Sequence, residues 1–253
     1  MRYQAHSPAS RRFARLRTAL TLPFLCLFVP SCGPGDSDYF PLTPDWSWAY
    51  RVTSDIRNIS KTTSQMLVAN GKPITVDGQR TTPRMYQDGH VFYYASEDDG
   101  ILLIADRAAW KQAAPAQPGQ WVLKYPLTVG ASWPVQSETH LLRRQLFGPT
   151  AVASVPVVSP IDITYTVEAL DDAVRVPAGT YHNCLRLKGE GKGVVNMGER
   201  IGEVDVTIET TQWFAPGIGL VKIERKEDTG PESSAAGSMT VELDAIDKGS
   251  WFH

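Results

Sequence analysis

Ile161-Asp162-Ile163-Thr164-Tyr165-Thr166-Val167 places apolar or aromatic residues on the odd numbers and short polar ones between them. A period of two is what a β-strand imposes, because successive side chains point to opposite faces. The same alternation returns downstream. Val204, Val206 and Ile208 alternate with Asp205, Thr207 and Glu209; Val221 and Ile223 with Lys222 and Glu224; Val241 and Leu243 with Glu242 and Asp244. One apolar face and one wet face is the pattern of antiparallel strands whose sheet is solvated on one side.

Between such runs stand turn formers. Asn70-Gly71, Asp77-Gly78, Asp88-Gly89 and Asp99-Gly100 each offer the positive φ of a tight hairpin. Val176-Pro177-Ala178-Gly179 suits a type I turn and Ala215-Pro216-Gly217-Ile218 a type II turn. The fold class predicted is therefore all-β: an antiparallel meander of short strands forming a strongly curved sheet, or an incomplete or flattened barrel, with minimal helix. One brief helix is expected around Asp106 to Ala114, stopped by Pro115. Glu227 to Gly237, acidic and rich in Ser and Ala, reads as a long hairpin loop.

The N-terminus carries a different signal. Arg2, Arg11, Arg12, Arg15 and Arg17 precede a short apolar run from Thr18 to Val29, with no acid among them. A basic head followed by a short apolar run is the build of a secretory signal. The run is too short for a spanning helix, which needs roughly 20 apolar residues. Phe13 directly after Arg11-Arg12 departs from the twin-arginine pattern, so the general secretory route is expected.

Val29-Pro30-Ser31-Cys32-Gly33 then resembles a bacterial lipobox, with Pro30 departing from the usual small residue. The chemistry accounts for the residue types: a thiol carries a thioether-linked diacylglycerol, and small neighbours admit the peptidase. Residues 1–31 are thus expected to be a lipoprotein signal peptide, Cys32 the lipidated residue (a palmitate-bearing anchor), 32–45 a flexible tether, 46–247 one β-rich domain and 248–253 a tail. Two or more acyl chains make such an anchor stable.

Cleavage removes five arginines, leaving 20 basic against 27 acidic residues, a net charge of about −7 on 222 residues (253 minus 31). That sign repels phosphate backbones, so no nucleic-acid partner is expected. Of the three cysteines only Cys184 then remains as a free thiol, which excludes an internal disulfide.

Phe40-Pro41-Leu42-Thr43 leading to Ser47-Trp48 is echoed by Tyr125-Pro126-Leu127-Thr128 leading to Ser132-Trp133, 85 residues on. Two similar strand starts explain nine matching positions more simply than a duplicated half-domain, since no further self-similarity follows.

The segment Val176 to Leu187, followed by Trp213-Phe214-Ala215-Pro216-Gly217-Ile218-Gly219-Leu220-Val221-Lys222, resembles the uncharacterised exported bacterial proteins called TapB-like, as does the aromatic-Pro-Leu opening into a Trp-containing strand. The resemblance implies a β-rich envelope domain. It brings no activity, cofactor or catalytic residue with it.

There is no Gly-x-Ser-x-Gly elbow. His182 and Cys184, two apart, would share a strand face, yet no second ligand pair of zinc spacing accompanies them. Gly189-Glu190-Gly191-Lys192-Gly193 lacks the Lys-Ser/Thr ending of a phosphate loop and reads as a hairpin tip. Asp98-Asp99 and Asp171-Asp172 read as solvated turns, not calcium ligands. No catalytic residue, metal or cofactor is expected.

The aromatic inventory is what remains. Trp46, Trp48, Tyr93, Tyr94 and Trp213 are the candidate lining of a ligand groove. The function expected is a lipid-anchored protein of the bacterial cell envelope, at the outer membrane facing the periplasm, with a non-enzymatic binding or scaffolding β domain. Its partners would be the membrane, through the N-terminal lipid, and an envelope protein or apolar ligand. The alternatives are a carrier holding a lipid in the concave face of the sheet and, weaker, an envelope enzyme.

Overall fold

A computed structural model describes residues 35, 39–108, 114–139, 141, 160–196, 202–230 and 236–249. Cys32 and the whole leader lie outside the described residues, as does most of the brief helix expected near residue 110. Its expected first and last residues, Asp106 and Ala114, belong to strands.

Among the described residues thirteen strands follow one another: β1 (Ser47–Ile56), β2 (Thr62–Asn70), β3 (Ile74–Val76), β4 (Gln79–Tyr86), β5 (Val91–Glu97), β6 (Gly100–Arg107), β7 (Ala114–Lys124), β8 (Ser132–Ser137), β9 (Ile161–Val176), β10 (Gly179–Asn196), β11 (Glu203–Ala215), β12 (Gly219–Asp228) and β13 (Ala236–Asp247). All described pairings are antiparallel. The order β7-β6-β5-β4-β2-β1-β13-β12-β11-β10-β9-β8 rolls one meander into a nearly closed barrel-like sheet, with β3 paired outside the path on β4.

The seam falls between β7 and β8, and the sequence explains why. Pro115 and Pro118 on β7 and Pro134 on β8 lack the N–H that a ladder needs, which suits them to edge strands. Side chains bridge the seam instead. Trp133 Nε1 donates to the Trp121 carbonyl at 3.2 Å, and Gln136 N donates to Gln120 Oε1 at 2.8 Å.

The path divides into two six-strand runs, one headed by β1 and the other by β8. Each head is the strand that follows one copy of the Pro-Leu-Thr echo. In both, the Trp at the strand's second position is buried and its indole N–H reaches a carbonyl across the sheet, Ile218 for Trp48 and Trp121 for Trp133. The echo therefore marks equivalent places in two runs of the meander.

The alternation read from sequence is realised. Ile161, Ile163 and Val167 on β9, Val206 and Ile208 on β11, and Val241 and Leu243 on β13 are all buried. Asp77 and Gly78 take φ of 48 and 80 in the β3–β4 hairpin, and Gly217 takes φ 66 after Pro216 as a type II turn requires. Asn70-Gly71 is no hairpin tip, since Asn70 is buried and Gly71 has no positive φ.

Gly189, Gly191 and Gly193 are no tip either. They run along one face in the middle of β10, opposite Tyr165, Ile163 and the start of β9. A Cβ on Gly191 would stand 2.8 Å from the Asp162 carbonyl oxygen and 2.9 Å from Ile163 Cγ1. One on Gly189 would stand 2.7 Å from Tyr165 Cε1. Missing side chains on β10 let those of β9 lean across it, which is how a sheet bends tightly inward.

Residues 39–45, expected as the last part of the tether, belong to the domain instead. Tyr39 and Phe40 are 3% and 5% exposed and join Tyr94, Leu127, Trp133, Leu185 and Phe214 in one core cluster. Burying a side chain of Phe40's size contributes about 2 kcal/mol, enough to draw in a segment that forms no strand.

Gly191→Val should overpack the β9–β10 contact and cost about 1–3 kcal/mol, read as a lower urea midpoint. Lys192→Ala, one residue along on the solvated face, should leave the midpoint unchanged.

Candidate functional site

One end of the barrel is closed by the segment from Tyr39 to Asp45. Arg84, on β4, holds it there. Its Nη2 donates to the Pro41 carbonyl at 2.8 Å and its Nε to Asn70 Oδ1 at 2.9 Å. Asn70 Nδ2 in turn donates to the carbonyls of Pro41 and Thr43, at 3.1 and 3.0 Å. The backbone of Asn70 pairs with Asp45 and Trp46, so every polar group of this residue is used.

Arg84 is buried, and no carboxylate pairs with it among the described residues. A buried cation without a partner is costly. Aromatic faces offset that cost: the guanidinium carbon lies 4.1 Å from the Phe40 ring centroid, 4.9 Å from Trp48 and 5.5 Å from Tyr94. Burial pushes the phenols of Tyr94 and Tyr50 well above their ordinary range, with the charge of Arg84 drawing them only partly back. They stay neutral and serve as ring faces and donors, Tyr50 giving its hydroxyl to the Leu220 carbonyl at 3.0 Å.

The five candidate groove aromatics part company. Trp48 and Tyr94 face inward around Arg84. Trp46, half-buried, lies beside Trp48 at 6.3 Å between rings, under the Lys248 ammonium at 4.7 Å. Tyr93 points the other way from Tyr94 and is buried with Val91 and Ala105, against Val76 of β3. Trp213 shares its row with Arg186 and Lys222. Its indole donates to Asp172 Oδ2 at 3.1 Å, and Lys222 Nζ lies 5.3 Å from its ring. The structure does not gather the five into one groove.

Asp171-Asp172 is no turn, since both lie within β9, where Asp172 also receives Arg186 Nη1 at 2.8 Å. His182 and Cys184 do not share a face. Asn183 between them takes φ 54 and the β9–β10 register shifts there, leaving His182 exposed and Cys184 fully buried. Burial, and then the charge of Asp172, pushes the thiol up to about 11. Among the described residues no group of three or more His, Cys, Asp and Glu is placed to hold a metal.

An apolar groove lies instead on the outer wall, beside the plugged end. Ala49, Ala69 and Ala245 form its floor, Leu67 and Met85 its apolar walls, in a concavity of about 640 Å³. Pairing brings them together: Ala49 lies opposite both Leu67 and Ala245, and Ala69 opposite Met85. Leu67 and Met85 are 46% and 43% exposed. Sequence reasoning passed over these residues because it followed aromatics. The available signal was Met66-Leu67-Val68-Ala69, a run without the polar alternation of β9 or β13.

The fold is thus an all-β, nearly closed barrel with buried aromatic side chains packed inside among the described residues and an apolar groove outside. No family model and no curated protein matches the chain. Among solved structures, two proteins are similar at 11% identity, each over 83% of this chain. One, from Bacteroides fragilis, is given as exported with a YmcC-like fold and matches over 99% of its own length with a TM-score of 0.37. The other, from Parabacteroides distasonis, is given as a lipoprotein and matches over 98% of its length with a TM-score of 0.35.

Arg84→Met should leave Asn70 Oδ1 and the Pro41 carbonyl short of a donor and cost about 2–4 kcal/mol. Chemical denaturation measures the loss, and limited proteolysis should cut first near residues 39–45. Cys184, by its burial and raised pKa, should resist thiol reagents at pH 7.5 until denaturant is added.

Proposed function

We propose that this chain is exported and lipidated on Cys32, and that its β domain binds from its outer wall instead of enclosing a ligand or performing chemistry. The observation that carries the reading is the contrast between the two faces. The inward face is packed with Phe40, Trp48, Tyr50, Tyr94 and Trp133, all under 9% exposed, while the apolar concavity of Leu67 and Met85 opens to the outside. A carrier needs an apolar space within, and the inward aromatic side chains together with buried Tyr39 and Phe40 count against one.

The leader supports the location. A basic head, a short apolar run and a cysteine between Ser31 and Gly33 fit an acylated envelope protein, and the TapB-like resemblance agrees with an envelope domain. The outer membrane, facing the periplasm, is the location we assign.

Cys32→Ser should release the protein from membranes and abolish labelling with palmitate. Persistent labelling of that variant would sink the assignment. Organic extraction of the purified wild-type protein should recover no stoichiometric free lipid; one tightly held lipid per chain would instead favour the carrier.

A further inference from the structure

The plugged end holds more than the groove. Among the described residues six large hydrophobic side chains are exposed: Ile59, Leu67, Ile74, Met85, Val129 and Val194. Four of them belong to this end. Leu67 and Met85 wall the groove. Ile74 lies on β3, four residues past Asn70. Val129, 66% exposed, is in the β7–β8 loop, whose Leu127 packs in the cluster of Tyr39 and Phe40. Ile59 and Val194 are at the opposite end, beyond Ile56 and beside the end of β10.

Chain length says what these residues face. From Cys32 to Tyr39 is seven steps (39 minus 32), which span at most about 25 Å when fully extended. Tyr39 is fixed: it is buried, and its hydroxyl donates to the Asn183 carbonyl at 3.1 Å. If the acyl chains on Cys32 are in a bilayer, the plugged end cannot move further from it than that. The opposite end lies beyond β1, whose ten residues add about 30 Å.

We propose that the occupant of this groove and of the apolar residues around it is the phospholipid bilayer surface to which the chain is anchored. The proposal rests on the lipidation of Cys32 and deepens that reading by naming the partner of the outer-wall groove. Scattered apolar side chains around an Ala-floored concavity suit the boundary between headgroups and acyl chains, where about 0.8 kcal/mol follows each buried methylene. Trp46 under the Lys248 ammonium supplies the amphipathic pair that favours such an interface. The outer wall elsewhere is unsuited: Lys188, Glu190, Glu209, Glu224 and Lys226 line β10 to β12 with charge.

The test uses the full lipidated chain in vesicles of phosphatidylethanolamine and phosphatidylglycerol, three to one, doped with spin-labelled phospholipid. Leu67→Cys, Val129→Cys, Ile59→Cys and Val194→Cys should each accept one fluorophore at neutral pH, because Cys184 is fully buried. The expected result is severalfold stronger quenching at 67 and 129 than at 59 and 194. Equal or absent quenching at all four positions, in protein that still floats with the vesicles, would overturn the proposal while leaving lipidation intact; the groove would then belong to a protein partner. Protein that neither floats nor carries acyl mass would overturn both.

Discussion

Arg84 holding the Pro41 carbonyl is the contact on which the rest of the molecule depends. A twelve-strand path encloses more space than its own wall side chains can easily fill, and packed interiors leave few voids. The chain meets that need by drawing its own N-terminal segment into one end. Such a segment has backbone groups that no ladder satisfies, and buried backbone polar groups must be paired. Arg84 and Asn70 supply the donors, and Phe40, in return, supplies a ring face to the guanidinium. Each side of this exchange makes the other's burial tolerable.

The opposite end follows the same logic with a different pair. Arg225 and Glu227 are both buried on β12, 2.8 Å apart, and hold the chain that leaves β8. Arg225 Nη2 donates to the Glu138 carbonyl at 2.7 Å, while Glu227 Oε2 accepts from Leu141 N at 3.0 Å. Here the cation has its carboxylate, and both also satisfy backbone. A buried ion pair is weak evidence for stability in itself. Its value lies in fixing Glu138 and Leu141, just beyond β8, against β12.

How much of this was legible in the sequence depends on range. Alternation at Ile161 to Val167 and Val241 to Leu243 is a local signal and delivered the strands, their inward faces and the all-β class. The Asp77-Gly78 and Pro216-Gly217 turns are local as well. The Gly189-Gly191-Gly193 stripe was read as a tip because its purpose is set by Tyr165 and Ile163, over twenty residues away. The same holds for Asn70, which looks like a turn former beside Gly71 and is instead the partner of Arg84 and of two carbonyls. No pattern around Thr81-Thr82-Pro83-Arg84-Met85-Tyr86 announces an inward cation, since apolar and polar residues do not alternate there. The groove was missed for a related reason: it is made of small and aliphatic residues at outward positions, which only the registry between four strands brings side by side.

That distribution bears on what the molecule is built to do. Catalysis asks for convergent polar groups with shifted acidity in a water-excluding cleft. Here the strongly shifted groups, Tyr50, Tyr94 and Cys184, are raised by burial and buried within clusters of their own side chains. The polar groups that do converge, around Arg84 and Arg225, spend their hydrogen bonds on the chain's own carbonyls and amides. Of the six exposed large hydrophobic side chains among the described residues, four lie at one end. If Cys32 is acylated as proposed, its seven-step leash to Tyr39 would hold that same end near a lipid surface, an orientation in which Leu67, Met85 and Val129 would face it.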